Sequence, residues 1–205
     1  RLATRYGLEN HRSAGLLLLT LWGTPTLYYG DEIGMQDGEI PRDQLQDPVG
    51  RRFPDSDRGR DPERTPMQWD ASPNAGFCPP EVEPWLPIAE NYREVNVAVQ
   101  QEDPLSTLSF YRKLLELRRE HPALHRGEIA FVDEVPPDVL AYTRFDGEAR
   151  FLVTINFQNE SHKLALASMG QDARVLLSTH FGHPETVKLS SVPLRPHEGL
   201  LLQLD

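Results

Sequence analysis

The chain has 205 residues, 39% of them hydrophobic, and a formal net charge of −10 from 21 basic and 31 acidic side chains. That balance argues against nucleic acid and anionic membranes as partners, because phosphate binding needs a basic surface, and no apolar run reaches the length of a membrane span. A single cysteine, Cys78, excludes an intramolecular disulfide and fits a reducing compartment, which points to the cytoplasm.

The chain opens Arg1-Leu2-Ala3-Thr4-Arg5-Tyr6-Gly7, with neither an initiator methionine nor a signal-peptide pattern. Glu9 to Leu21 reads as a helix with a polar entry at Asn10, His11, Arg12 and Ser13. Its surface of Leu16, Leu17, Leu18, Leu19, Leu21 and Trp22 is apolar all round and belongs inside a larger body, so the chain reads as the C-terminal part of a longer protein. Gly23 and Pro25 punctuate, and Thr26 to Tyr29 reads as a short apolar strand that ends at Gly30 and is followed by Asp31 and Glu32. A helix, a Gly/Pro break and a continuous apolar strand form the grammar of a parallel α/β sheet. In α/β barrels the loops after the carboxyl ends of the strands build the active site.

From Met35 to about Gln101 periodicity vanishes, and prolines from Pro41 to Pro87 alternate with charges. An irregular segment this long inside a compact domain is a functional loop or disordered; the aromatics Phe53, Trp69, Phe77, Trp85 and Tyr92 favour ordered packing. Asp103-Pro104 has the signature of an N-cap and first helical residue. Leu108, Phe110, Tyr111, Leu114, Leu115 and Leu117 then make an apolar stripe, and His121-Pro122 ends the helix. After Arg126-Gly127 come short β-like runs at Ile129–Val132, Val139–Arg144, Phe151–Phe157, Leu164–Ala167, Arg174–Leu177, Thr186–Leu189 and Leu200–Leu204. Evenly spaced short strands predict an antiparallel sandwich of about 80 residues. The expected domains are therefore residues 1–125 and 126–205.

Asp31 and Glu32 are candidates for paired carboxylates, which retaining glycosidases hold about 5 Å apart. Adjacent residues at a strand end point in opposite directions, so one acid can face a site while the other braces a loop, and the two are not a catalytic dyad. In Gly59-Arg60-Asp61-Pro62-Glu63-Arg64, Asp61-Pro62 resembles the cap and first residue of a short helix. Arg60 stands just before that cap and Arg64 one turn on. Arg60 either offers bidentate hydrogen bonds to vicinal hydroxyls or carboxylates, or makes a structural ion pair. The pairs His121/His125 and His180/His183 lack acidic or cysteine neighbours at metal spacing, so no metal is expected. Trp69, Trp85, Tyr28 and Tyr29 could stack on sugar rings, with burial as the default. No phosphate loop or nucleophile elbow is present, and no cofactor is expected.

Gly23-Thr24-Pro25-Thr26-Leu27-Tyr28-Tyr29-Gly30-Asp31-Glu32-Ile33-Gly34-Met35, Gly59-Arg60-Asp61, Arg64-Thr65-Pro66-Met67-Gln68-Trp69, Ala75-Gly76-Phe77 and Glu83-Pro84-Trp85-Leu86-Pro87 resemble the α-glucosidase and oligo-1,6-glucosidase branch of the α-amylase superfamily. Leu194-Arg195-Pro196-His197-Glu198-Gly199-Leu200-Leu201 is similar to the end of that family's C-terminal β-domain. The resemblance implies an α/β plus all-β fold, with the C-terminal end of a (β/α)8 TIM barrel before a small antiparallel β-sandwich. It also implies retaining hydrolysis of short α-glucans by an Asp nucleophile, a Glu acid/base and a second Asp. All three would lie upstream of Arg1, so this chain supplies no catalytic residue and should be inactive alone. Arg60 resembles the arginine that grips the terminal glucose and pairs with an upstream acid, and the loop from Gln36 to Asp47 resembles the one bordering the next subsite. The expected partners are an oligosaccharide of maltose or isomaltose type and the missing N-terminal half, with self-association covering the exposed barrel surface in its absence. Trehalose synthase and the non-catalytic heavy chain of an amino-acid transporter share these motifs and are the alternatives. A lone β-domain binding polysaccharide is a further one, which no exposed aromatic row supports.

Overall fold

The computed structural model describes residues 1–53, 55 and 59–205; of the recurring prolines, Pro54 lies outside the described residues. Packing divides the chain into two units. One comprises Arg1–Gly7 and Leu27–Ser109, the other Leu8–Thr26 and Phe110–Asp205. This division does not follow the change of pattern near residue 125. Among the described residues no helix is long and apolar enough to cross a membrane.

The second unit is built on a six-stranded antiparallel sheet in the order β1 (Glu128–Phe131), β2 (Val139–Phe145), β3 (Arg150–Asn156), β8 (Gly199–Leu204), β5 (Asp172–Ser178) and β6 (Thr186–Lys188). A two-stranded sheet pairs β4 (His162–Leu164) with β7 (Val192–Leu194). Six of these strands fall on expected runs; the run Leu164–Ala167 overlaps β4 only at Leu164, and a 3-10 turn begins at Ala167. Sequence pattern does not show β7, because Pro193 removes a ladder donor and confines the strand to an edge. Both faces of β3 and β8 are buried, which is why Phe151-Leu152-Val153 and Leu200-Leu201-Leu202 are continuous apolar runs instead of alternating ones. On one face Leu152, Leu200 and Leu202 pack with Leu164, Val192 and Leu194. On the other, Phe151, Val153, Ile155 and Leu201 pack with helical residues.

Those helical residues come from α2 (His11–Thr20), α5 (Thr107–Glu120) and α6 (Pro122–His125). Leu16 and Leu19 of α2 are fully buried among them. Gly15 is required by close approach: a Cβ there would lie 2.3 Å from the Tyr111 hydroxyl. Helix α5 starts at Thr107, not at Asp103-Pro104, because Asp103 is used in a turn: its carboxylate accepts from the Leu105 amide and its carbonyl from Ser106. Ser106 Oγ, 3.1 Å from the Ser109 amide, caps the helix instead. Leu115 is exposed, so it falls outside the apolar stripe.

Two arginines close this core without a carboxylate partner among the described residues. Arg144 on β2 is fully buried and donates to the carbonyls of Thr20 (2.5 Å), Leu124 (3.1 Å), Gly127 (2.9 Å) and Glu128 (3.2 Å). Arg118 on α5 donates to the carbonyls of Leu19 (2.6 Å), Leu124 (2.7 Å) and Gly23 (2.9 Å). Three of these six acceptors, Leu19, Thr20 and Leu124, are orphan carbonyls of helix ends, where positive charge is favoured. Burial lowers the pKa of both guanidinium groups, and for Arg144 the neighbouring Arg118 charge adds to it. Glu198, also fully buried, is held by Arg195 and Ser178: burial alone would raise its pKa, and these hydrogen bonds lower it overall.

In the first unit α1 (Leu2–Tyr6) is followed, after residue 26, by a mostly irregular chain carrying α3 (Pro48–Arg52) and α4 (Val97–Glu102). Thr26 to Tyr29 form no strand, contrary to expectation. A parallel strand draws its hydrogen bonds from neighbours, and none of the described residues supplies one. The long segment is ordered around two small cores, Ile33, Met35, Met67 and Leu108 in one and Ile40, Leu45 and Leu86 in the other.

Candidate substrate-binding site

The loop after Tyr29 turns at Gly30 (φ +88) and Gly34 (φ +70), left-handed conformations that glycine adopts without strain. Between them Asp31, Glu32 and Ile33 make one 3-10 turn. Asp31 is buried and accepts from the Leu2 amide at 2.9 Å, and Glu32 turns back onto the Gly30 amide at 2.7 Å. Each acid braces backbone. They do not converge on a common point as a catalytic pair would.

Further along, two aspartates organise residues 46–64. Asp47 caps α3: its Oδ1 accepts from the Val49 amide at 2.9 Å, with Pro48 in the first helical position. Asp61 is fully buried, and its Oδ2 accepts from the amides of Gln46 (2.6 Å) and Asp47 (2.8 Å). The short helix expected after it exists as the 3-10 turn Pro62–Arg64, but Asp61 does not cap it, since its carboxylate is committed to residues 46 and 47. Gly59, at φ +67, passes so near Asp47 that a Cβ would sit 2.7 Å from its carboxylate.

Arg60 stands on this frame. Its Nε donates to Asp47 Oδ2 at 3.2 Å while 66% of its side chain remains exposed, so the outer edge of the planar fork faces away from its partner. Arg64 is 3.7 Å from the same carboxylate and 35% exposed. The Val49 amide, and after burial's opposing effect the Arg60 bond, hold the Asp47 carboxyl below the usual carboxylate range. Asp47 is thus an anionic anchor that orients Arg60 from within the chain. Sequence reasoning missed it, although Asp47-Pro48 carries the same cap signature that was noticed at Asp61-Pro62.

The aromatics are not buried by default. Trp69 and Trp85 are half exposed, and with Tyr28, Tyr29 and Phe77 they line an apolar cleft of about 590 Å³ that also borders Glu32 and Arg64. No histidine is among the residues that line it; in the second unit His121 lies against Phe151, and His180 approaches Thr179. Among the described residues no group of three His, Cys, Asp or Glu could hold a metal ion. Arg64, not Arg60, lines the cleft. Arg60 presents an oriented guanidinium able to bind vicinal hydroxyls, the cleft presents aromatic faces suited to apolar sugar surfaces, and Asp31 and Glu32 do not form a carboxylate pair for hydrolysis.

Residues 1–127 match the alpha amylase catalytic domain family. The chain is 31% identical over 219 residues to the oligo-1,6-glucosidase of Parageobacillus thermoglucosidasius, covering 98% of this chain and 39% of that protein. It is 35% identical to the amino acid transporter heavy chain SLC3A1 of Rattus norvegicus, covering 99% of this chain and 29% of that one. Among solved structures, a mutant of MutB from crystals soaked with trehalulose superposes with a TM-score of 0.85 at 30% identity, covering 98% of this chain and 41% of that one. An inactive MutB double mutant in complex with isomaltulose gives the same TM-score at 29% identity, covering 100% and 41%. These likenesses bear out the fold class, the C-terminal end of a (β/α)8 barrel followed by an antiparallel β-domain. The chain spans about two fifths of the length of the glucosidase and of MutB.

Proposed function

Since the chain belongs to the α-amylase catalytic-domain family, we propose that it is the C-terminal portion of a retaining α-glucosidase that releases terminal glucose from short α-glucans. The observation that carries this reading is the 31% identity to an oligo-1,6-glucosidase across 98% of the chain. In this reading residues 1–125 complete the catalytic barrel and 126–205 form the β-domain, a division supported by the family match ending at residue 127. The catalytic acids lie before Arg1, the protein is cytoplasmic, and the chain by itself turns over no nitrophenyl α-glucoside. Arg60 binds hydroxyls of the terminal glucose through the exposed edge of its guanidinium, oriented by Asp47.

The test is Arg60→Ala in the full-length protein. It removes the charge-assisted hydrogen bonds that Arg60 makes to sugar hydroxyls and to an upstream acid, a loss on the order of 3–5 kcal/mol, while Asp47 keeps Arg64 at 3.7 Å. At about 1.4 kcal/mol per tenfold, kcat/KM on maltose or isomaltose falls by roughly two to four orders of magnitude while the fold survives. Wild-type efficiency would make Arg60 a loop brace and remove it from the pocket.

Two specific likenesses favour second readings. The match to MutB, a trehalulose synthase, supports a synthase reading of the kind the trehalose synthase alternative represents. The SLC3A1 match supports the reading as an amino-acid transporter heavy chain. Product analysis separates the first from hydrolysis, and the coding sequence before Arg1 separates the second: the Asp nucleophile, Glu acid/base and second Asp that the family resemblance implies decide for an enzyme.

A further inference from the structure

The Arg1 side chain is more extensively bonded than any residue of the site just described. Its Nη1 donates to the carbonyl of Gln36 (3.2 Å), the carbonyl of Pro62 (3.4 Å) and Thr65 Oγ1 (3.2 Å). Nη2 donates to the carbonyl of Thr65 (3.3 Å), and Nε to that of Tyr29 (3.4 Å). The guanidinium carbon lies 5.0 Å from the centre of the Tyr29 ring and 5.9 Å from that of Tyr28, within reach of a cation–π attraction. Its backbone is tied as well, with the main-chain nitrogen 2.9 Å from Asp37 Oδ1 and the following amide, that of Leu2, 2.9 Å from Asp31 Oδ1.

These acceptors fall in two places. Tyr29 and Gln36 flank the turn that carries Asp31 and Glu32. Pro62 and Thr65 begin and follow the 3-10 turn that comes directly after Arg60 and Asp61. A planar fork with five N–H donors joins both at once, and a lysine ammonium with three donors on a flexible stem does not reproduce it. Other bonds span the same junction: the Gly38 amide donates to the Pro62 carbonyl at 2.8 Å and the Tyr29 hydroxyl to the Thr65 carbonyl at 2.8 Å. Loss of the guanidinium therefore leaves the loop attached but takes away the fork that sets its position.

We propose that Arg1 is a positioning residue for substrate binding: it fixes the turn after Arg60 against residues 29–36 and so holds the Arg60 guanidinium where the terminal sugar is bound. The proposal rests on the reading of Arg60 as the sugar-binding arginine. Arg1 touches no substrate and acts through Arg60.

A double-mutant cycle in the full-length protein tests it, with kcat/KM on maltose as readout and thermal melting to monitor the fold. Arg1→Ala lowers kcat/KM by about 10- to 100-fold, the scale of a misplacement near 1 Å. In an Arg60→Ala background the same change lowers it by less than about twofold, since the group being positioned is gone. A residue that merely stabilises the fold would multiply its effect in both backgrounds. If Arg1→Ala fails to fold, Arg1→Lys replaces it in the cycle, with the same non-additivity expected. Multiplicative effects, or an Arg1 variant of wild-type efficiency beside an impaired Arg60→Ala, overturn the proposal and leave the function standing. Wild-type efficiency of Arg60→Ala overturns both.

Discussion

Replacing Arg144 by Met removes a fully buried charge that has no carboxylate partner among the described residues, and the outcome follows from its acceptors. Of the four carbonyls it serves, that of Leu124 keeps a bond from Arg118 at 2.7 Å, whereas Thr20, Gly127 and Glu128 lose theirs. A buried acceptor left unpaired costs about 1–3 kcal/mol. Against this, the wild-type protein already bears the cost of desolvating a guanidinium, the effect that lowers the Arg144 pKa, and Met recovers part of it. The net loss is on the order of 3 kcal/mol. For a chain of this size about 2–4 °C corresponds to each kcal/mol, so Tm measured by circular dichroism should fall by roughly 6–12 °C. Arg144→Lys should lie between, because three donors cannot reach all four carbonyls. A Tm within about 2 °C of wild type in Arg144→Met would mean that water or backbone already serves these carbonyls, and would refute the clamp.

Burial pushes the Tyr142 phenol up to about 12, so between its ordinary value of 10.0 and that value the unfolded chain sheds a proton that the native state keeps. Stability from this group is complete below about pH 10 and is lost as pH rises towards 12, by up to about 3 kcal/mol. Urea midpoints at pH 9 and 11.5 should show the loss in the wild type and a much smaller one in Tyr142→Phe, which also forfeits the 2.6 Å bond to Thr20 at all pH. In Gly15→Ala the new methyl meets the Tyr111 hydroxyl at 2.3 Å and its ring at 2.7 Å, and Tyr111 is too buried to swing clear. Crowding of about 1–3 kcal/mol should outweigh the roughly 1 kcal/mol that alanine gains in helix propensity. A raised Tm would show that Tyr111 relocates.

The parts legible in sequence were those that depend on near neighbours. The leucine run of α2 and the apolar runs of β3 and β8 declare themselves through composition, because both faces of these strands are covered. Thr26–Tyr29 misled because its composition suits a strand while its hydrogen bonds must come from elsewhere. Asp103-Pro104 misled because the same two residues open a turn as readily as a helix. In the site, the family motif located Arg60, but its partner Asp47 stands 13 positions away across an irregular loop. Arg1 matches an arginine of the family pattern, but nothing in composition or spacing pointed to its acceptors, which range from residue 29 to residue 65. Long-range bonds from an arginine to carbonyls are invisible in sequence, since every residue has a carbonyl.

The place of β8 governs the order in which the sheet can be assembled during synthesis. Among the described residues it follows the other seven strands in chain order, yet it lies in the interior, pairing with β3 on one side and β5 on the other. Until it emerges, β3 and β5 each present an open, apolar edge, and β3 also awaits the contacts of Leu201 with the helical face. Such long-range closure slows folding and leaves sticky edges exposed meanwhile. A ribosome-bound chain halted before Gly199 should therefore hold the β1–β2–β3 and β5–β6 ladders as separate pieces, vulnerable to proteases and to each other's copies. Release of the final strand is the event that joins them.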